Sequence, residues 1–247
     1  MNVEIRARVL QELVRPMKVF DNGWAKITIR SSRLIASQAS ADGKRSVKVA
    51  VSADAFESWE GDPAETYSSF KQLSNVVTLV NHDSTIQIRI DPDTDRTYVE
   101  GEALIGKFIP RVPTMIPEIN KHPGPHATIV FPIDEFVKFG TCGTSLSHQV
   151  TLQVNENESI FHATATGDCD QVDLYVTSAE AIDFSLADVS ATFGATDLNS
   201  VLQSIPDGTV IKLFLADEKP VGIEYPIAGG HGTVRYRIEN KTKATLD

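Results

Sequence analysis

The sequence predicts an α+β protein made of two similar domains, each an assembly of antiparallel sheet with two short helices. Three observations carry that reading. Segments recur at about half the chain length, short strands alternate apolar and polar residues between turn signals, and one proline-rich stretch divides the halves. With 247 residues, 41% of them hydrophobic and 23% charged, the chain can bury two cores of roughly 120 residues each.

The recurrence is read directly from the residues. VAVSADAF at 49–56 is matched by YVTSAEAI at 175–182, and the step from Ser52 to Ser178 is 126 residues. Upstream at the same step, LIASQASAD (34–42) faces IFHATATGD (160–168), each a strand followed by a polar turn. QELV (11–14) faces DEFV (134–137) at a step of 123, after the alternating strands VEIRARV and ATIVFPI. YSSFKQLSNVV (67–77) faces ATDLNSVLQSI (195–205), both with helical apolar spacing. The strands TIQIRI, from Thr85, and TVIKLFL, from Thr209, follow them. Small changes of step are what insertions in loops produce.

Each half thus reads strand, short helix, three strands, second short helix, then three or four strands. Asp42–Gly43 and Asp207–Gly208 are hairpin signals that favour antiparallel pairing. Pro16 falls inside the first helix, where it removes a donor and clashes with the preceding turn, so that helix is expected to split or restart there. Arg111 to Pro125, RVPTMIPEINKHPGP, holds four prolines and one glycine and cannot be a central strand or a helix. The expected organisation is a domain over 1–110, a linker over 111–125 and a second domain over 126–247. Met115, Ile116 and Ile119 in the linker need an apolar surface to dock on.

Composition excludes several functions. No stretch approaches the roughly 20 apolar residues of a membrane span, and MNVEIRARV carries charges where a signal peptide needs its apolar run. The expected location is the cytoplasm. Cys142 and Cys169 belong to no CxxC or Cys/His cluster and read as reduced thiols. His122 and His126 share a proline-rich segment that forbids the helix a zinc HxxxH needs, and His148, His162 and His231 are scattered. Asp91/Asp93 and Asp168/Asp170 sit where aspartate favours turns. No phosphate-cradling glycine motif or nucleophile elbow is present, so neither catalysis nor a cofactor is expected. The net charge of −10, from 33 acidic and 23 basic residues, opposes nonspecific nucleic-acid binding unless the cations gather on one surface.

KPVGIEYPIAGGHGTVRY (219–236), with Pro220, Glu224, Tyr225, Ile227, Ala228 and Gly232, together with DAFESWE (54–60) and GDCDQVDLYV (167–176), resembles the sliding clamp family, that of proliferating cell nuclear antigen, and in particular its salt-loving archaeal members. The resemblance covers essentially the whole chain. It implies a DNA clamp fold and a homotrimeric ring that encircles duplex DNA, is opened by a clamp loader, and tethers a DNA polymerase and also a flap endonuclease or ligase. In a prokaryotic or virus-infected cell such a ring is associated with the nucleoid.

The resemblance also implies site residues. The ring would close by strand pairing between edges at about Tyr98–Leu104, with Glu100 and Glu102, and at Val172–Val176, with Leu174. The hole would be lined by helices carrying Arg15, Lys18, Lys71 and Lys138, whereas the fourth helix, Asp197 to Ser204, has no cation. A partner-peptide pocket would draw on Ala39, Met115, Ile116, Ile119, Pro220, Arg237, Ile238 and Glu239. Ile238, Glu239 and Asn240 stand where the family usually has a small residue and proline, so a smaller or more polar pocket is expected. Two rival readings remain open at this point: a specialised subunit of a heteromeric or checkpoint-type ring, and an enzyme or small-ligand binder built on a duplicated α+β fold.

Overall fold

In a computed structural model, the structure describes residues 2–20, 24–60, 63–91, 94, 96–101, 104–108, 127–185 and 187–241, without the side chains at 24, 71, 104 and 108. The chain forms two compact units: Met1–Ile119 with Pro226–Val234, and Asn120–Tyr225 with Arg235–Asp247. Among the described residues no helix is long and apolar enough to cross a membrane.

In the first unit, β1 (Asn2–Arg6) leads into α1 (Ala7–Val14), followed by a 3-10 turn at Arg15–Val19. Then come β2 (Trp24–Arg30), β3 (Arg33–Ala39), β4 (Arg45–Ser52), the short β5 (Ser58–Glu60) and β6 (Ala64–Ser69). Next are α2 (Phe70–Val77), β7 (Thr85–Ile90), β8 (Thr97–Gly101) and β9 (Leu104–Phe108). One sheet has the order β5-β1-β7-β8-β9, and β4-β3-β2-β6 run side by side in another.

The second unit repeats this plan. It contains β10 (Ala127–Pro132), α3 (Asp134–Leu146), β11 (Gln149–Asn155), β12 (Ile160–Thr166), β13 (Gln171–Thr177), β14 (Asp183–Ser185) and β15 (Val189–Gly194). After them come α4 (Ala195–Leu202), β16 (Val210–Leu215), β17 (Val221–Ile227) and β18 (Gly232–Ile238), the last two counted here although residues 226–227 and 232–234 fall in the first unit. The orders β14-β10-β16-β17-β18 and β13-β12-β11-β15 match β5-β1-β7-β8-β9 and β4-β3-β2-β6 strand for strand. All pairings described are antiparallel. Asp42–Gly43 turns β3 into β4 as a hairpin signal predicts, whereas Asp207–Gly208 lies between α4 and β16 and makes no hairpin; Gly43 and Gly208 both sit at φ +71°, where a side chain is strained.

The boundaries correct the sequence reading in three places. First, β1 stops at Arg6, so Ala7–Val9 are helical and not the end of a strand. Second, Tyr67–Ser69 finish β6, and α2 begins only at Phe70, where the Ser69 hydroxyl accepts the Gln72 N–H at 3.4 Å. The second helices therefore start at Phe70 and Ala195, 125 residues apart, and not at the step of 128 that aligning Tyr67 with Ala195 implies. Third, five strands, one of them short, separate the helices of each half. Period-2 patterning shows that strands exist but does not mark where a turn of few residues divides them.

Pro16 acts as anticipated. Helix α1 ends at Val14, and Pro16 sits in the first turn of the 3-10 segment, where its missing N–H costs no helical hydrogen bond. Inward residues of each helix and strand meet in the two cores. Val3, Ile5, Leu10, Leu13 and Phe70 are buried in the first, and Phe131, Phe136, Phe161 and Phe193 in the second.

Candidate DNA-facing helices and free sheet edges

Helix α1 and the turn after it present one exposed basic side. Its inward residues Ala7, Leu10, Leu13 and Val14 are buried, which leaves Arg8, Glu12, Arg15 and Lys18 exposed. Arg15 and Lys18, two of the predicted cations, are thus exposed on the side of this segment away from the core. Arg8 joins them and is missed by the sequence reading because VEIRARV alternates like a strand throughout. Its signal is its spacing: Arg8 is seven residues, two helical turns, before Arg15. Glu12 does not cancel the patch by pairing along the helix. Its Oε2 accepts the Ala228 backbone N–H at 2.6 Å within the first unit, at a turn where Ala228, Gly229 and Gly230 all have positive φ.

In α2, Gln72 and Asn75 are exposed; the Lys71 side chain lies outside the described residues. In α3, Lys138 is exposed, but its Nζ donates to Glu135 Oε1 at 2.6 Å. That hydrogen bond, and then the Glu135 charge, raise the Lys138 pKa above its ordinary value. Such an exposed pair adds little stability, yet it diminishes what Lys138 offers an anion. The exposed residues that follow Lys138 on α3 are uncharged. Thr141 and Ser145 are exposed on α3, and Gln203, just after α4, donates to Thr141 Oγ1 at 2.8 Å.

Helices α3 and α4 cross at Gly140. A Cβ there would stand 2.9 Å from Leu202 Cδ1 and 3.1 Å from Asn199 Oδ1, and Leu202 is fully buried. Gly140→Ala is therefore expected to lower stability by about 1–2 kcal/mol, because overpacking outweighs the better helix propensity of alanine. Thermal unfolding followed by circular dichroism checks this; a rise in Tm would show that the helices can separate without cost.

Among the described residues, β9 pairs only with β8 and β13 only with β12, so each leaves one edge open. This corrects the first predicted edge. Tyr98 and Glu100 belong to β8, whose two sides are taken by β7 and β9, so their strand has no backbone groups left for another chain. Glu102 and the Leu104 side chain lie outside the described residues, although Leu104 begins β9. The second predicted edge falls on an open strand. In β13, Val172 and Leu174 are half-buried and Val176 is buried.

The outward faces of these two edge regions differ in charge. Beside β9, the Arg89 guanidinium lies 4.2 Å from the Tyr98 ring centroid and Lys107 Nζ 5.8 Å from it, cation–π distances. Beside β13, His162 Nε2 and Asp173 Oδ1 are 2.7 Å apart, and Gln171 Nε2 donates to Asp173 Oδ2 at 2.7 Å. Hydrogen bonding to His162 is the largest cause that lowers the Asp173 pKa, with Gln171 and Thr164 contributing. The His162 ring stacks on Tyr175 at 4.4 Å between centroids with planes 3° apart. His162, one of the scattered histidines of the sequence, is thus held in an ordered polar cluster.

Of the expected peptide-pocket residues, Ala39 and Ile238 are buried, Pro220 is half-buried, and Arg237 forms an ion pair with Glu239. Met115, Ile116 and Ile119 lie outside the described residues.

No family model matches the chain. A DNA polymerase sliding clamp of Halobacterium salinarum is 26% identical over 198 residues, covering 78% of each protein. The DNA polymerase sliding clamp of Haloarcula marismortui is 24% identical over the same length, again 78% of each. Among solved structures, Archaeoglobus fulgidus PCNA, determined with the C-terminal region of FEN-1 bound, superposes with a TM-score of 0.87 at 19% identity, covering 98% of this chain and 99% of that one. Relatives that share both sequence and name, and a clamp backbone followed through both halves, agree with the duplicated topology: the chain is similar in sequence to DNA polymerase sliding clamps and has the clamp fold.

Proposed function

We propose that the chain works as a homotrimeric processivity ring that encircles duplex DNA without sequence preference and does no chemistry of its own. The observation that carries the ring is that β9 in one unit and β13 in the other end their sheets, two of six such strands with β5, β6, β14 and β15 among the described residues, on a duplicated plan. An open edge is a template for another strand, and two different edges on one chain join head to tail and close into a cycle. In this reading residues 1–110 and 126–247 are the two clamp domains and 111–125 is the linker between them. Arg8, Arg15, Lys18, Lys71 and Lys138 face the DNA. Such a set of cations is small, so enclosure, more than phosphate affinity, keeps the ring on its track.

The ring would be opened by a clamp loader and would tether a DNA polymerase by raising its effective concentration at the primer end. A partner peptide, of the kind that FEN-1 supplies to the Archaeoglobus protein, would dock against the linker residues Met115, Ile116 and Ile119 with Ala39, Pro220 and Arg237–Glu239. Flap endonuclease and ligase are the corresponding repair partners, and the working location is the nucleoid.

The test is loader-dependent retention on nicked circular DNA, compared with the same DNA after linearisation. Retention is expected on the circle and rapid loss from the linear form; equal retention on both would overturn encirclement. Light-scattering mass gives the copy number, and a stable monomer would overturn the homotrimer.

A further inference from the structure

We propose that the chain covers the outer edge of β15 with two of its own segments, Asp217 from the turn after β16 and Lys241 from the residues after β18. The cover closes that edge to a strand of any other chain. This goes beyond the ring reading and does not depend on it.

Strand β15 ends the four-stranded sheet and pairs on one side only, with β11, through Thr151 opposite Thr192 and Gln153 opposite Ser190. Along an antiparallel strand the backbone groups of alternate residues turn toward the neighbour and away from it. Ser190 and Thr192 are the residues that turn away. The Ser190 N–H donates to Asp217 Oδ1 at 3.1 Å, and the Thr192 carbonyl accepts the Lys241 N–H at 2.7 Å. Between them the side chains of Val189, Ala191 and Phe193 are buried, so the core holds the strand in place. A strand fixed in this way and unpaired along one side is a template for a further strand.

The cover runs along the strand. Beyond its contact with Thr192, Lys241 reaches on with Nζ, which donates to the His148 carbonyl at 3.3 Å. That carbonyl also accepts the N–H of Ala195, the residue that follows β15. Lys241 thus covers one half of the edge with its backbone and side chain, and Asp217 holds the other half. A strand added to β15 would need the Ser190 N–H and the Thr192 carbonyl together, because pairing draws on every second residue. It would have to break two hydrogen bonds, one of them strengthened by a carboxylate. It would also have to lie among the exposed charges of Asp217, Glu218 and Lys241, and charge beside a sheet end opposes joining. Asp217 and Lys241 belong to the same unit as β15, so one copy of the chain suffices to make the cover.

Hydrogen exchange and light-scattering mass, measured on the full chain, test this. Asp217→Ala removes the acceptor of the Ser190 N–H, and that amide is expected to exchange roughly tenfold faster. Lys241→Pro removes the N–H that the Thr192 carbonyl accepts. With both substitutions the mean mass over a concentration series is expected to rise roughly twofold above that of the unmodified chain, as uncovered edges of two copies pair. Adding Thr192→Pro removes an outward N–H and leaves the pairing with β11 in place, so it should return the mass to that of the unmodified chain. This third substitution separates edge pairing from misfolding. Equal masses for the double variant and the unmodified chain would overturn the proposal, and so would an excess mass that Thr192→Pro does not remove. If the unmodified chain is a monomer at every concentration, the ring reading falls, while the same comparison of variants still decides whether β15 is closed by its cover.

Discussion

Replacing Phe136 with alanine will lower the stability of the second unit by about 3–5 kcal/mol. Phe136 is fully buried at the point where α3 meets its sheets. Its ring lies 5.8 Å from Phe131, 5.9 Å from Phe161 and 6.1 Å from Phe139, distances at which aromatic pairs add to simple burial. Truncation removes all of these ring pairs and leaves a cavity that a helix pinned at its Gly140 crossing cannot close. Against the roughly 5–15 kcal/mol of a typical domain this is a large fraction. Denaturant unfolding followed by far-ultraviolet circular dichroism measures it. Fluorescence of Trp24 and Trp59, both in the first unit, is an internal control. Phe136→Leu should cost less, and an unmoved dichroism transition in the alanine variant would show that this cluster does not hold the unit together.

Removing the basic side of the first helix and its turn, with Arg8→Ala, Arg15→Ala and Lys18→Ala together, will weaken loading onto DNA by roughly tenfold or more at low salt. It will also flatten the salt dependence of binding by roughly one logarithmic unit for each phosphate that is no longer neutralised. Lys138→Ala should do much less, because its ammonium is already shared with Glu135. In the proposed ring, the triple variant once closed on a circle should remain nearly as long as the unmodified chain, because enclosure and not charge would resist escape. Loading measured against salt, and lifetime on nicked circles, separate the two effects. Identical salt slopes for the triple variant and the unmodified chain would show that this face does not meet phosphate.

Much of the fold is legible in the residues, because repetition and alternation are one-dimensional. VAVSADAF and YVTSAEAI announce two copies of one plan, and inward rows such as Val47, Val49 and Val51 announce strands with one buried face. The misplaced boundaries are local contests that pattern does not resolve. Ala7–Val9 alternate like a strand yet finish as helix, because Ala7 and Leu10 are needed in the core; Arg8 is hidden from sequence reading for the same reason. Pro16 is readable because its effect is covalent, acting through its own ring and missing N–H.

The sequence by itself determined the duplication, the strand-rich halves, the proline-bounded linker and a family resemblance spread along the whole chain. Which edge is open was decided only by tertiary structure. Tyr98 and Leu104 are six residues apart in one segment, yet β8 is enclosed and β9 is not, because pairing depends on which distant strands arrive on either side. The same holds for the polar groups. His162 and Asp173 are eleven residues apart and look unrelated in the chain, and antiparallel pairing of β12 with β13 brings them to 2.7 Å. Local chemistry writes the elements, but hydrogen-bonding capacity left unused is a property of the assembled sheet.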